Sequence, residues 1–218
     1  MRNHKSWMIT GLLFVLFAAF TIAVSAADVQ PIGPEQSEVG LAAVNQFVFQ
    51  KLGVNMQWYH LTEWLGMAVL TVPLCFAAMG LQQLIRRKSL WKVDAPLLLL
   101  GVFYALVAAC YVLFEKVVIN YRPVVLGEGL EASYPSSHTL LAVCVMASAV
   151  LTLRKLPVIP QKYWKAANPI CTAILLATVL GRLLSGVHWF TDIIGGVLLS
   201  AALVMLYRSS LLHIQNRR

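Results

Sequence analysis

Apolar residues gather into six long runs, at about 7–26, 62–84, 94–114, 138–153, 169–187 and 191–212, separated by short segments that hold most of the charge. Each run approaches the roughly 20 residues that an α-helix needs to cross about 30 Å of hydrocarbon. Between the first two runs, Leu41, Val44, Val48 and Leu52 recur at helical spacing, with Gln46 and Gln50 opposite and Asn45 on the apolar side. That pattern predicts a short extracytoplasmic helix lying on the membrane surface. The expected fold is therefore all-α: a six-span transmembrane helical bundle with one interfacial helix, forming a single integral-membrane domain over residues 1–218. The first run follows a basic start and ends in Ala-Val-Ser-Ala-Ala, which resembles a signal-peptidase site. Its length also suits a span, and it is read as an uncleaved first helix, since cleavage leaves the downstream orientation unchanged.

Composition supports the membrane reading. With 59% hydrophobic and 12% charged residues among 218, the chain carries more apolar surface than a soluble domain of this size buries. The net charge of +8 raises the alternative of a nucleic-acid partner, and the placement of the basic residues decides against it. Arg2 and Lys5, then Arg86, Arg87, Lys88 and Lys92, then Arg154, Lys155, Lys162 and Lys165, then Arg208, Arg217 and Arg218 account for 13 of the 17 basic residues and fall in alternate gaps. The positive-inside rule produces that alternation, and it places both termini in the cytoplasm. Eight of the nine acidic residues then lie on the outer side, all but Asp94. Trp58, Tyr59, Trp64, Trp91, Trp164 and Trp189 fall near run ends, as in an aromatic belt. Cys75, Cys110, Cys144 and Cys171 all lie within apolar runs and read as packing residues.

Two outer segments concentrate residues that are costly near a bilayer. One runs from Glu115 and Lys116 through Asn120, Tyr121, Arg122 and Pro123 to Tyr134, Pro135, Ser136, Ser137 and His138; the other holds Arg182, Ser185, His188 and Asp192. Ionisable groups at membrane depth mark functional sites. Guanidinium groups bind two phosphate oxygens at once and stabilise the charge that spreads over them during phosphoryl transfer. Imidazoles serve as nucleophile or proton donor near neutral pH. His188 and Asp192 are four residues apart, so on a helix the carboxylate accepts from one ring nitrogen and frees the other. Pro135, Ser136 and Ser137 read as a turn opening the fourth span, whose hydroxyls and N–H groups suit a phosphate. A metal site is disfavoured, because two arginines beside His138, His188 and Asp192 oppose a dication. Glu63 and His60 read as interfacial residues, and Glu128 and Glu131 as solvated ones. Tyr121 and Tyr134 read as residues bordering a lipid headgroup or as members of the belt.

These residues resemble the motifs of the type-2 phosphatidic-acid phosphatase superfamily of membrane lipid phosphatases: Lys-x6-Arg-Pro, Pro-Ser-Gly-His and Ser-Arg-x5-His-x3-Asp. Arg182, His188 and Asp192 match the third motif in full spacing, and all three occur in family order between Lys116 and Asp192. The resemblance implies that His188 is the nucleophile forming a phosphohistidine, that Asp192 orients it and that His138 protonates the leaving oxygen. It implies that Arg122, Arg182, Lys116 and Ser136 hold the phosphoryl oxygens, with Ser137 beside them; from the residues themselves, no metal or other cofactor is expected. Three positions depart from the pattern. Five residues, not six, separate Lys116 from Arg122, which on a continuous helix puts the two about 120° apart. Lys116 is thus read equally as a phosphate ligand or as a lysine snorkelling at a span end. Ser137 stands where the family has glycine, and Gly181 where it has serine. The expected activity is metal-independent hydrolysis of a lipid phosphate or diphosphate at the outer membrane interface. Phosphatidic acid, phosphatidylglycerol phosphate and an isoprenoid diphosphate such as the undecaprenyl carrier fit equally. A phosphotransferase of the same fold, or a catalytically silent protein that binds or moves lipid, is the alternative.

Overall fold

A computed structural model of the chain describes residues 2–156 and 159–216. Arg217 and Arg218, counted above among the terminal basic residues, lie outside the described residues. Seven α-helices and no β-strand are found among them: α1 (Arg2–Ala26), α2 (Ala42–Leu52), α3 (Met56–Arg87), α4 (Ala95–Lys116), α5 (Ser137–Leu153), α6 (Gln161–Ser185) and α7 (Phe190–Asn216). Five of these, α1, α3, α4, α6 and α7, are long and apolar enough to cross a membrane, whereas α5 has 17 residues.

Helix boundaries differ from the apolar runs where local chemistry extends a helix into polar sequence. α3 begins at Met56 because the Asn55 side chain accepts hydrogen bonds from the backbone N–H groups of Gln57 (3.0 Å) and Trp58 (3.2 Å). α6 begins at Gln161, well before the apolar run, and carries Pro169 within it. The Arg154 guanidinium lies over the Trp164 ring of this early stretch, 4.8 Å from its centroid.

α5 is the hub. It packs against α3, α4, α6 and α7, and most of its side chains are buried. Its length is close to the shortest that spans a bilayer, about 17 residues. The largest helix pair is α1 with α7, joined by the Ser6 and Ser209 hydroxyls at 2.6 Å and by Tyr134, whose hydroxyl meets Thr21 at 2.8 Å. Tyr134 is thus buried in the bundle and not part of a belt or a headgroup border. Gly195 of α7 makes room for it, since a Cβ there would sit 2.5 Å from the ring.

In α2 the inward face differs from the expected stripe. Val44 and Leu52 are exposed, while Ala42 and Asn45 are buried. Asn45 belongs inside because its amide is fully used: Nδ2 donates to Gly40 O and Thr191 Oγ1, and Oδ1 accepts from Thr191 N. Asp28 starts this helix, accepting from Ala43 N at 2.8 Å, a bond that holds its carboxyl below the usual range.

Candidate active site

The site lies where α5 and α7 begin and α6 ends. The α6–α7 turn, Gly186 to Trp189, is sharp because Gly186 takes a left-handed conformation (φ 67°). A Cβ on Gly186 would also meet Gly53 O at 2.0 Å. Asp192 sits in the first turn of α7 and is fully buried. Its Oδ2 accepts from Trp189 N at 2.8 Å and faces His188 Nδ1 at 3.6 Å, while Oδ1 accepts weakly from Asn120 Nδ2 at 3.4 Å. Trp189, expected in the aromatic belt, is buried, and its indole N–H donates to Tyr121 O at 2.7 Å.

The loop between α4 and α5 reaches this turn through a short antiparallel pairing. Arg122 N donates to Glu131 O at 3.0 Å and Ser133 N to Asn120 O at 2.9 Å, on either side of the Tyr121–Ala132 bridge. This pairing places the Arg122 guanidinium over His188, with Nη1 3.3 Å from His188 Nε2 and Nε 2.9 Å from the Glu131 carboxylate. Arginine has only donors, so Nε2 of His188 presents its lone pair and the ring proton resides on Nδ1, facing Asp192. Burial, followed by the nearby Arg122, Arg182 and His138, pushes the His188 pKa well below the ordinary value of 6.5.

Ser136 precedes α5 and is fully buried; its backbone N–H donates to Asp192 O at 3.0 Å, joining the starts of α5 and α7. Arg182 projects from α6 with no exposed surface, donates through Nη2 to the Glu63 carboxylate, and lies 5.3 Å from the centroid of the Tyr59 ring. His138 Nε2 is 3.4 Å from the same Glu63 oxygen. Glu63, read from the sequence as interfacial, therefore bridges two of the site residues. His60, paired with it in that reading, is exposed and packs edge-on against Tyr59 at 5.3 Å.

Several buried polar atoms here have no hydrogen-bond partner: Ser136 Oγ, His138 Nδ1, and Nε and Nη1 of Arg182. Buried polar groups are nearly always satisfied, and the Ser136 hydroxyl with two N–H groups of the Arg182 guanidinium are donors of the kind an anion satisfies.

The remaining two positions stand apart. Lys116 is the last residue of α4 and exposed; the helix ends there, so the rotation expected on a continuous helix between it and Arg122 does not arise. No hydrogen bond or ion pair among the described residues links Lys116 to the cluster. Ser137 opens α5 and lines the groove described next. Gly181 is required by close packing of α3 on α6, where a Cβ would lie 2.5 Å from Thr62 Cγ2 and 3.2 Å from the Trp58 ring.

Two residues of this site escaped the sequence reading. Asn120, buried between Gly40 N and Asp192, lay in the highlighted segment without a role. Glu63 had one available signal: it is a carboxylate just inside an apolar run, the same cost that singled out Asp192. From Glu63 and His138 an apolar groove of about 460 Å³ runs between α3, α4 and α5, lined by Gly66, Met67, Leu70, Ala108, Tyr111 and Leu141.

Residues 116–214 match the model of the PAP2 superfamily. Among solved structures, the chain is similar to the crystal structure described as the first transmembrane PAP2-type phosphatidylglycerolphosphate phosphatase from Bacillus subtilis. The two share 20% sequence identity and a TM-score of 0.68, over 96% of this chain and 98% of that one. No curated protein matches the chain. The long apolar helices and this shared fold are those of a multi-pass membrane protein.

Proposed function

We propose, from the match of residues 116–214 to the PAP2 superfamily model, that this protein hydrolyses a lipid phosphate or diphosphate, through a phosphohistidine on His188 and without a metal. The observation that carries the reading is the contact of Arg122 with the lone-pair nitrogen of His188, beside the unpaired donors of Arg182 and Ser136. A phosphoryl group held by those donors sits where Nε2 can attack it.

Arg122, Arg182 and Ser136 bind the equatorial oxygens, whose charge grows in the transition state. As the bond from His188 Nε2 to phosphorus forms, the bond to the lipid oxygen breaks, and that oxygen takes a proton from His138. Asp192 holds the Nδ1–H tautomer and stabilises the cationic ring. Water then attacks the phosphohistidine, returns a proton to His138, and releases phosphate. The apolar groove at Glu63 and His138 suits the acyl or prenyl tail, open between helices to the lipid.

In the membrane, α1, α3, α4, α5, α6 and α7 form the six spans, with both termini cytoplasmic and the site extracytoplasmic, and α2 rests on the outer surface. The alternating basic clusters support this orientation. The enclosure of α5 by longer helices supports counting it as a span despite its length.

The test is phosphate release by the purified protein across phosphatidic acid, phosphatidylglycerol phosphate and undecaprenyl diphosphate, with and without chelator. Release from at least one lipid, unaffected by chelator and absent in His188→Ala, is expected. Chelator-sensitive release sinks the metal-free reaction, and no release from any lipid sinks the phosphatase.

A further inference from the structure

Glu63 projects from the outer end of α3, outside the region that matches the superfamily. It is the carboxylate that reaches His138, at 3.4 Å from Nε2, while its other tie is to Arg182. The remaining charged groups near His138 are cationic: Arg182 on α6 and Arg122 on the paired loop. His188 lies beyond them in the α6–α7 turn, and Tyr111 of α4 shares the groove. Burial and two guanidinium groups oppose a proton on this imidazole, whereas the adjacent carboxylate is the one group that favours it. The ring is also confined, since a Cβ on Gly66, one turn along α3, would meet His138 Cδ2 at 2.9 Å and Nε2 at 3.1 Å. Its second nitrogen, Nδ1, is buried without a partner.

We propose that Glu63 is the positioning residue of the leaving-group acid: its carboxylate holds His138 as the imidazolium that gives its proton to the lipid oxygen. The inference rests on the hydrolysis proposed for this site and adds to it a residue from another helix. In the first step the electron pair of the breaking phosphorus–oxygen bond goes to the lipid oxygen, which takes the His138 proton. Glu63 then faces a neutral ring. In the second step the attacking water loses a proton to His138, its oxygen bonds to phosphorus, and the electron pair of the phosphorus–nitrogen bond returns to His188. Glu63 and Arg182 stay paired throughout, and a glutamine at this position keeps an amide oxygen that accepts from the same guanidinium.

A residue that serves the acid matters only when the leaving group needs a proton. The experiment compares a long-chain alkyl phosphate with a nitrophenyl phosphate bearing the same chain, using the full-length protein and its Glu63→Gln and Glu63→Asp variants. Nitrophenolate departs unprotonated. Glu63→Gln is expected to lower kcat for the alkyl phosphate about 10²-fold, the lower range of general-acid catalysis, and for the nitrophenyl phosphate less than about threefold. Glu63→Asp should recover part of the alkyl activity. The nitrophenyl reaction doubles as the check that the variant is folded. Equal losses on both substrates, or none on either, overturn the proposal. A wild-type protein that cleaves neither substrate overturns the hydrolysis reading and this inference with it.

Discussion

Two imidazole–carboxylate pairs face the same site and are built in opposite ways. His188 and Asp192 come from a single turn, are both buried, and have their partners fixed by Trp189 N and Asn120. His138 and Glu63 come from different helices, and Glu63 is 39% exposed at the mouth of the apolar groove. The sealed pair suits a nucleophile, whose lone pair must keep one direction, since a misplacement of about 1 Å costs roughly 10²-fold. The open pair suits an acid, which must meet a leaving oxygen attached to a lipid tail arriving through the groove. In the proposed reaction, position in the fold separates two imidazole–carboxylate pairs of like chemistry into two roles.

Removing the ring of the sealed pair has the largest expected effect. His188→Ala should lower lipid-phosphate hydrolysis by about 10⁴-fold or more, because the covalent step is lost; activity within tenfold of wild type would leave the two histidines indistinguishable. Next is Asp192→Asn, which keeps the shape but loses control of the tautomer. Turnover should drop by about 10²–10³-fold, with lipid binding retained.

Acid pH probes the same pair more gently. In the proposed reaction the neutral form of His188 attacks, and its pKa is depressed, so kcat/KM should hold as pH falls past 6.5 and decline only well below it. Folding stability follows the opposite course: the unfolded chain gains a proton near 6.5 that the folded site refuses, so stability should fall as pH drops through that value. An acid limb of kcat/KM at or above 6.5 would contradict the burial of this ring. Smallest is Lys116→Ala, expected to change KM less than about threefold, as for an exposed lysine at a helix end. A large rise in KM would bring Lys116 into the site and blur the division between the two pairs.

The same division governs what the sequence discloses. Arg182, His188 and Asp192 were legible because one helix end, one glycine turn and one helix start carry them, so their spacing records their geometry. The 3.4 Å contact of Glu63 with His138 depends on how α3 packs against α5, which no spacing encodes. Lys116 shows the converse: its motif position suggested a ligand, yet α4 ends at that residue and leaves it exposed. The apolar runs located the helices, because burial in lipid needs little beyond length and hydrophobicity. They missed the start of α6 at Gln161, a stretch too polar to register as a run. Asn45 and Tyr134 defeated simple polarity rules for a shared reason: each is a polar group buried with a specific partner supplied by a distant segment.

The pairing that carries Arg122 has a consequence for how freely the outer loop can vary. Its register is set by Arg122 N to Glu131 O, by Ser133 N to Asn120 O, and by the Trp189 indole on Tyr121 O, all at the base of the loop. Residues 123–130 therefore close a ring whose ends are already clamped. Doubling the length of such a ring costs only about 0.6 kcal/mol of closure entropy. The stretch above the clamp can be lengthened or rewritten while the guanidinium below stays aimed at His188.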